Sequence, residues 1–342
     1  MRILFLTENE VGASTRYRIR QYLPTLEARG VSFELQAVPS SRGERRALFL
    51  GAGAFDRVVL QRRLVHPFDF RVLRRHAAHL TLDVDDAVQF PDSTSGKRRS
   101  FTRWIRFFAA ASAADQLILG NAVLEEYAKT LNSRTVVVPT VVDASAYPKP
   151  AARDASVRPL RLVWIGSRST LPFLEDVLPA LDPLVEEGVV GTLRVIADAA
   201  PSIATHVPIE PVPWSAETEA ASLAEADVGL SPLRDDRWCR GKCGLRLLQY
   251  FAASVPAVAA PVGVQGDMIA DGCGIAASTA DEIRQALREL HADPSRREAI
   301  ATAARARLEK SYDLGVWRDR FADLVTGRAT NEEGREAGGE SE

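Results

Sequence analysis

The residues best suited to chemistry lie in Asp227–Gly263, DVGLSPLRDDRWCRGKCGLRLLQYFAASVPAVAAPVG. An apolar run ends at Leu230, a charged stretch follows, and a helix-period segment opens at Gly244 directly after Arg240-Gly241-Lys242. A cation and a glycine before a helix suit a diphosphate, because the lysine charge adds to the free backbone amides and the macrodipole. Gln249, inside that helix, is placed to hydrogen-bond a sugar hydroxyl. A capped helix with an exposed lysine is the plainer alternative, but it leaves the charged run Arg234–Lys242 without a purpose. A second small-residue loop, Gly166-Ser167-Arg168-Ser169-Thr170, follows the apolar run Leu160–Ile165. It lets a phosphate approach the backbone while Arg168 neutralises charge, although an ordinary strand-to-helix turn has the same composition. In the first half, Leu82-Asp83-Val84-Asp85-Asp86 sets three carboxylates at the end of an apolar run, costly unless used or paired. Asp85 or Asp86 can orient an acceptor hydroxyl. The segment Glu8–Arg18 bends at Gly12 and carries Ser14, with Arg16 and Arg18 able to hold a phosphate or carboxylate; surface helix arginines are the alternative. The five histidines are scattered and show no metal-ligand spacing.

These loops are positioned by a repeating strand-helix pattern. The apolar, β-branched runs predict strands at Arg2–Thr7, Val31–Val38, Arg57–Leu60, Leu80–Val84, Gln116–Leu119 and Thr135–Val138, a complete doubly wound set. Helix periodicity spans Arg16–Arg29, with Gly30 as its stop. The stretch 144–159, rich in proline and small residues, reads as a linker. Beyond it, strands are predicted at Leu160–Ile165, Leu193–Ile196, Asp227–Leu230 and Ala257–Ala259, with helices over Leu171–Glu187, Thr218–Ala226 and Gly244–Ala253 and from Asp281 onward. The expected organisation is an N-terminal Rossmann-like domain over 1–143, the linker, a C-terminal Rossmann-like domain over 160–312, a closing helix over 313–328 and a disordered tail over 329–342.

The segment GKCGLRLLQYFAASVPAVAAPVG resembles the donor-binding helix and following strand of family 4 glycosyltransferases, retaining enzymes of the GT-B fold. The resemblance extends to WIGSRST, PVPW, GNAVLEEYA, VVVPTVVD and SYDLGVWRDRFADL. It implies an α/β GT-B architecture, two Rossmann-like doubly wound domains facing across a cleft, with a nucleotide diphosphate sugar held mainly by the C-terminal one. On that basis Lys242 and Arg168 serve the diphosphate. Gly166, Ser167, Ser169, Cys243, Gly244 and Leu245 line the donor, Trp214 lies near the base and Gln249 near the ribose. Gly12, Ser14, Arg16, Arg18 and Asp85 form the acceptor side, and Asp86 joins the catalytic set. Where the family commonly carries two glutamates eight positions apart, this chain has Gly241 and Gln249. The implied reaction is transfer of a sugar to a hydroxyl acceptor with retention, with no metal or other cofactor required because cations and amides stabilise the leaving diphosphate. Two other readings stand beside it. A non-catalytic two-lobed binding or transferase-like protein fits the missing carboxylate at Gly241, and Asp83-Val84-Asp85 resembles the motif of haloacid dehalogenase-like phosphatases, with Ala87 departing from it.

Composition limits the remaining classes. With 342 residues, 46% of them hydrophobic and 26% charged, the chain folds as a globular protein of about two domains. Every apolar run is broken well before the roughly 20 residues of a bilayer span, so a cytoplasmic protein is expected. Cys239, Cys243 and Cys273 form no C-x-x-C pair, which argues against a disulfide scaffold or structural zinc. Residues 1–150 carry 22 Lys and Arg against 15 Asp and Glu, and the remainder 21 against 30, an asymmetry that suggests an anionic partner for the first half or electrostatic docking of the two halves, with solvated faces of unequal sign as the alternative. A sequence pI of about 6.3 argues against a dedicated nucleic-acid binder. Residues 97–111, KRRSFTRWIRFFAAA, suit peripheral contact with the inner face of a membrane or a lipid-linked acceptor; a core-packed helix with a basic outer face is the alternative.

Overall fold

The computed structural model describes residues 1–96, 99–147 and 157–328. Lys97 and Arg98 of the basic-aromatic run, 148–156 of the expected linker and the expected tail 329–342 lie outside the described residues. The chain forms two compact units, one made of 1–89, 101–139 and 314 onward, the other of 90–100 and 140–313.

The first unit is built on a parallel sheet of β1 (Arg2–Thr7), β2 (Ser32–Ala37), β3 (Arg57–Gln61), β4 (Leu80–Val84), β5 (Gln116–Leu119) and β6 (Thr135–Val137), ordered β2-β1-β3-β4-β5-β6. Burial on both faces explains the unbroken apolar runs: Ile3, Leu4, Phe5 and Leu6 are all fully buried. The chain reverses its direction of sheet growth between β1 and β3, so their carboxyl ends frame the crevice where such sheets take ligands. The helix predicted over Arg16–Arg29 starts earlier and is broken into Ala13–Arg18, a 3-10 turn at Arg20–Tyr22 and Leu23–Ala28. Pro24 lacks an N–H and occupies the first turn of the last piece, which restarts the helix there. Helix Leu314–Thr326 completes this unit, with Phe321 stacked 4.1 Å from Tyr22.

The second unit holds β7 (Leu160–Ile165), β8 (Val190–Ile196), β9 (Ile209–Val212), β10 (Val228–Ser231), β11 (Ala257–Ala259) and β12 (Ile275–Ala276), all parallel and ordered β12-β11-β10-β7-β8-β9. Here the switch point lies between β7 and β10. Tyr250 fastens those two strands. Its hydroxyl donates to the Leu230 carbonyl at 2.9 Å and accepts from the Ile165 N–H at 3.3 Å, while its ring lies where a Cβ on Gly229 would stand, 2.6 Å away. The helix expected over Leu171–Glu187 is two helices, Leu171–Glu175 and Leu178–Glu186, each opened by a proline.

Candidate functional site

Of the predicted donor residues, Gly166, Ser167, Arg168 and Ser169 follow β7, while Lys242–Leu245 and Gln249 follow β10, the two strands that flank the second unit's switch point. Gly166 leaves β7 so close to its neighbours that an added Cβ would stand 2.5 Å from the Trp164 ring and 2.8 Å from the Arg246 guanidinium. The loop closes on itself, Ser167 Oγ lying 3.0 Å from Ser169 Oγ and Thr170 Oγ1 donating to the Ser167 carbonyl at 3.1 Å. Arg168 is exposed and has no hydrogen-bond or ion-pair partner among the described residues.

From β10 the chain enters the charged stretch, which contains a short helix, Arg237–Arg240, rather than loop alone. Asp236 caps it by accepting from the N–H groups of Trp238 and Cys239, both at 2.9 Å. The cap holds Trp238 against Lys242, whose Nζ lies 3.6 Å from the ring centroid. Helix Leu245–Ala252 begins after Gly244 at φ 67°, a conformation that favours glycine, and Met268 fills the space a Cβ would need. Lys242, Cys243, Gly244 and Leu245 thus stand in sequence at the start of this helix, and Gln249, 5% exposed, lies within it. Trp214 follows β9, its indole N–H donating to Glu219 at 2.7 Å, and Glu219 also accepts from the Tyr147 hydroxyl at 2.7 Å. Burial pushes the Cys239 thiol up to about 11, so it stays protonated.

Arg246 belongs to this site and was not expected there. Its Nε donates to the Ile165 carbonyl at 2.5 Å, its Nη2 to Thr170 Oγ1 at 3.2 Å, and its plane lies 4.7 Å from the Trp164 ring. Burial pulls its pKa below the usual guanidinium value, yet among the described residues no carboxylate pairs with it. A full positive charge therefore sits beside the Gly166 loop with only neutral acceptors.

In the first unit the switch point collects a second group. Ser14 donates to Asp85, Gln61 donates to Ser14 Oγ at 2.6 Å, and Arg62 reaches Asp86 at 2.8 Å and Asp85 at 3.7 Å. Arg62, missed in the sequence, holds a left-handed φ of 60°, a strained backbone at the end of β3. Both amide atoms of Gln89 are buried without a hydrogen-bond partner. Gly12 caps the helix that carries Ser14, and Arg16 lies over Tyr17 at 5.0 Å. Arg18 corrects the expectation of a surface acceptor contact. It is 1% exposed, bonded to Asp83 at 2.5 Å and to the Val138 carbonyl at 2.7 Å. Asp83 is 0% exposed in the same pair, so the first carboxylate of the phosphatase-like motif is closed off from any substrate.

Two parallel six-stranded sheets, each wound on both sides and each with its own switch point, define the GT-B fold of glycosyltransferases. The sequence model of a family described as Glycosyl transferase-like matches residues 198–325. Among solved structures, sucrose-phosphate synthase from Thermosynechococcus elongatus is similar with a TM-score of 0.76 at 15% identity, over 95% of this chain and 98% of that one. HepE from Anabaena, in complex with UDP and glucose, gives 0.70 at 14% identity over 96% and 100%. An alpha-glucosyltransferase in complex with UDP-glucose and DNA gives 0.63 at 13% identity over 95% and 99%. No curated protein sequence matches the chain.

Proposed function

We propose that the protein is a glycosyltransferase that moves a sugar from a nucleotide diphosphate sugar to a hydroxyl acceptor. The observation that carries this reading is Arg246, a partly buried cation without a carboxylate partner among the described residues, set against the Gly166–Thr170 loop at the second unit's switch point. Holding an uncompensated charge there costs stability, and a diphosphate would neutralise it. Lys242 and Arg168 stand on the neighbouring loops as further cations, and Gln249 is the residue assigned to the ribose. The match to a glycosyl transferase-like family and the UDP complexes of the similar folds support the same donor class.

Catalysis in this reading is positioning and fixed charge: Lys242, Arg168 and Arg246 stabilise the departing diphosphate, and backbone amides at Gly166, Ser167 and Cys243–Leu245 add to them. The reaction proceeds with retention and uses no metal, since these groups carry the leaving-group charge. Ser14, Asp85 and Asp86 in the first unit receive the acceptor, where Gln61 and Gln89 keep buried amide atoms unpartnered.

The test is thermal unfolding against UDP, GDP, ADP, TDP and CDP. One diphosphate at 100 times its Kd adds about 2.7 kcal/mol, and Lys242→Ala lowers turnover of the matching donor sugar about a hundredfold or more. An intact protein stabilised by none of the five would sink the proposal.

A further inference from the structure

We infer that one face of the first unit, formed by helices Arg42–Leu50, Pro67–His76 and Phe101–Ala113, docks on an anionic lipid bilayer. The three helices pack side by side with Pro67–His76 in the middle. The four exposed Phe and Trp side chains among the described residues all lie on two of them: Phe68 is 66% exposed, Phe101 75%, Trp104 48% and Phe108 43%. Phe101, Trp104 and Phe108 follow one helical stripe and stack in series, with centroids 6.4 and 5.4 Å apart, while Phe107, Ala110 and Ala111 face the core. Core packing thus accounts for only one side of this helix.

The neighbouring stripes are basic. Phe68, Arg71 and Arg75 recur at helical spacing on the middle helix, as do Arg42, Arg46 and the exposed Leu50 on the outer one. Arg46, Arg71 and Arg75 have no carboxylate partner among the described residues. Of the acids on these helices, Asp69 is buried and held by Arg45 at 2.7 Å, leaving Glu44 as the exposed one. Aromatic rings that are costly in water are favourable at the headgroup level, and arginines beside them are attracted to anionic lipids while their stems cover apolar surface. The charge sign selects the lipid, and the protruding rings select a bilayer over a folded acidic partner. This surface stands independently of the donor site.

The experiment is cosedimentation of the purified full chain with phosphatidylcholine vesicles, with and without phosphatidylglycerol, at low and high salt. The protein pellets with the phosphatidylglycerol vesicles and is partly released by salt. The double substitution Trp104→Ser, Phe108→Ser weakens binding about tenfold or more. Arg71→Ser, Arg75→Ser weakens it roughly 25-fold, at about fivefold per arginine, and flattens the salt dependence. Both variants keep the parent's melting temperature and its response in the nucleoside diphosphate screen, which separates loss of docking from loss of fold or donor site. Failure of the parent to pellet with anionic vesicles, equal pelleting of the variants, or competition by a single-stranded oligonucleotide that displaces the vesicles would overturn the inference.

Discussion

Arg18 is a buried guanidinium and Arg246 a partly buried one, and replacing each by methionine should have opposite consequences. Arg18 is paired with Asp83 at 2.5 Å, and both side chains are closed to solvent. Arg18→Met strands a buried carboxylate, a loss of about 3–5 kcal/mol. Among the described residues Arg246 has neutral partners only, the Ile165 carbonyl at 2.5 Å, Thr170 Oγ1 at 3.2 Å and the Trp164 face at 4.7 Å. Arg246→Met loses those contacts but also removes a desolvated, uncompensated charge, so stability changes by about 1 kcal/mol or less. Its effect falls on the ligand: losing a charge-assisted hydrogen bond of about 1.5–3 kcal/mol to a diphosphate weakens the nucleoside diphosphate selected in the thermal screen roughly 10- to 150-fold. Urea denaturation reads the first quantity and isothermal titration with that diphosphate the second. If Arg246→Met proved as destabilising as Arg18→Met while the diphosphate bound as before, Arg246 would be a structural residue and the reasoning from its missing counter-charge would be wrong.

Two further expectations concern the scaffold. Gly244→Ala combines a left-handed φ of 67° with a Cβ that Met268 Sδ would meet at 2.5 Å, and urea denaturation should show a loss of about 2–4 kcal/mol. Tyr22, 1% exposed, has its pKa pushed up by burial from 10.0 to about 12. The folded chain therefore keeps its proton while the unfolded chain releases it, and stability from this group is present below pH 10 and lost as pH rises toward 12, by about 2.7 kcal/mol. Tyr22→Phe keeps the ring that stacks on Phe321 and lacks this loss, so thermal melts of the two proteins should draw apart in that window; parallel declines would remove Tyr22 as the cause.

Strands buried on both faces were the most legible part of the fold, since β1, β4, β5, β7 and β11 run over the same residues as the apolar segments that predict them. Two strands left no such trace. β9 contains Pro211, tolerated because it is an edge strand, and β12 has only two residues. Helix interruptions at Pro24 and at Pro172 and Pro179 were visible as residues but not as breaks, because the apolar period continues through them and each proline falls in a first turn where its missing N–H costs little.

Legibility of the site depended on where a charge finds its counter-charge. Lys242 and Gly244 were singled out through local order, a cation and a glycine at a helix start, and the structure does place them at the start of helix Leu245–Ala252. Arg18 reads as an acceptor contact or a surface helix arginine, because nothing near it in sequence reveals Asp83, 65 residues away, as its partner. Arg246 was not singled out in the sequence. A signal for it was present: in LRLLQYFA the residues Leu247 through Ala252 are buried without interruption, so this helix has no broad solvent face for an arginine to occupy. A charged residue in a helix apolar on nearly every side must meet either an internal counter-charge or a ligand. Among the described residues the structure supplies no carboxylate for Arg246, so its counter-charge must come from a bound anion.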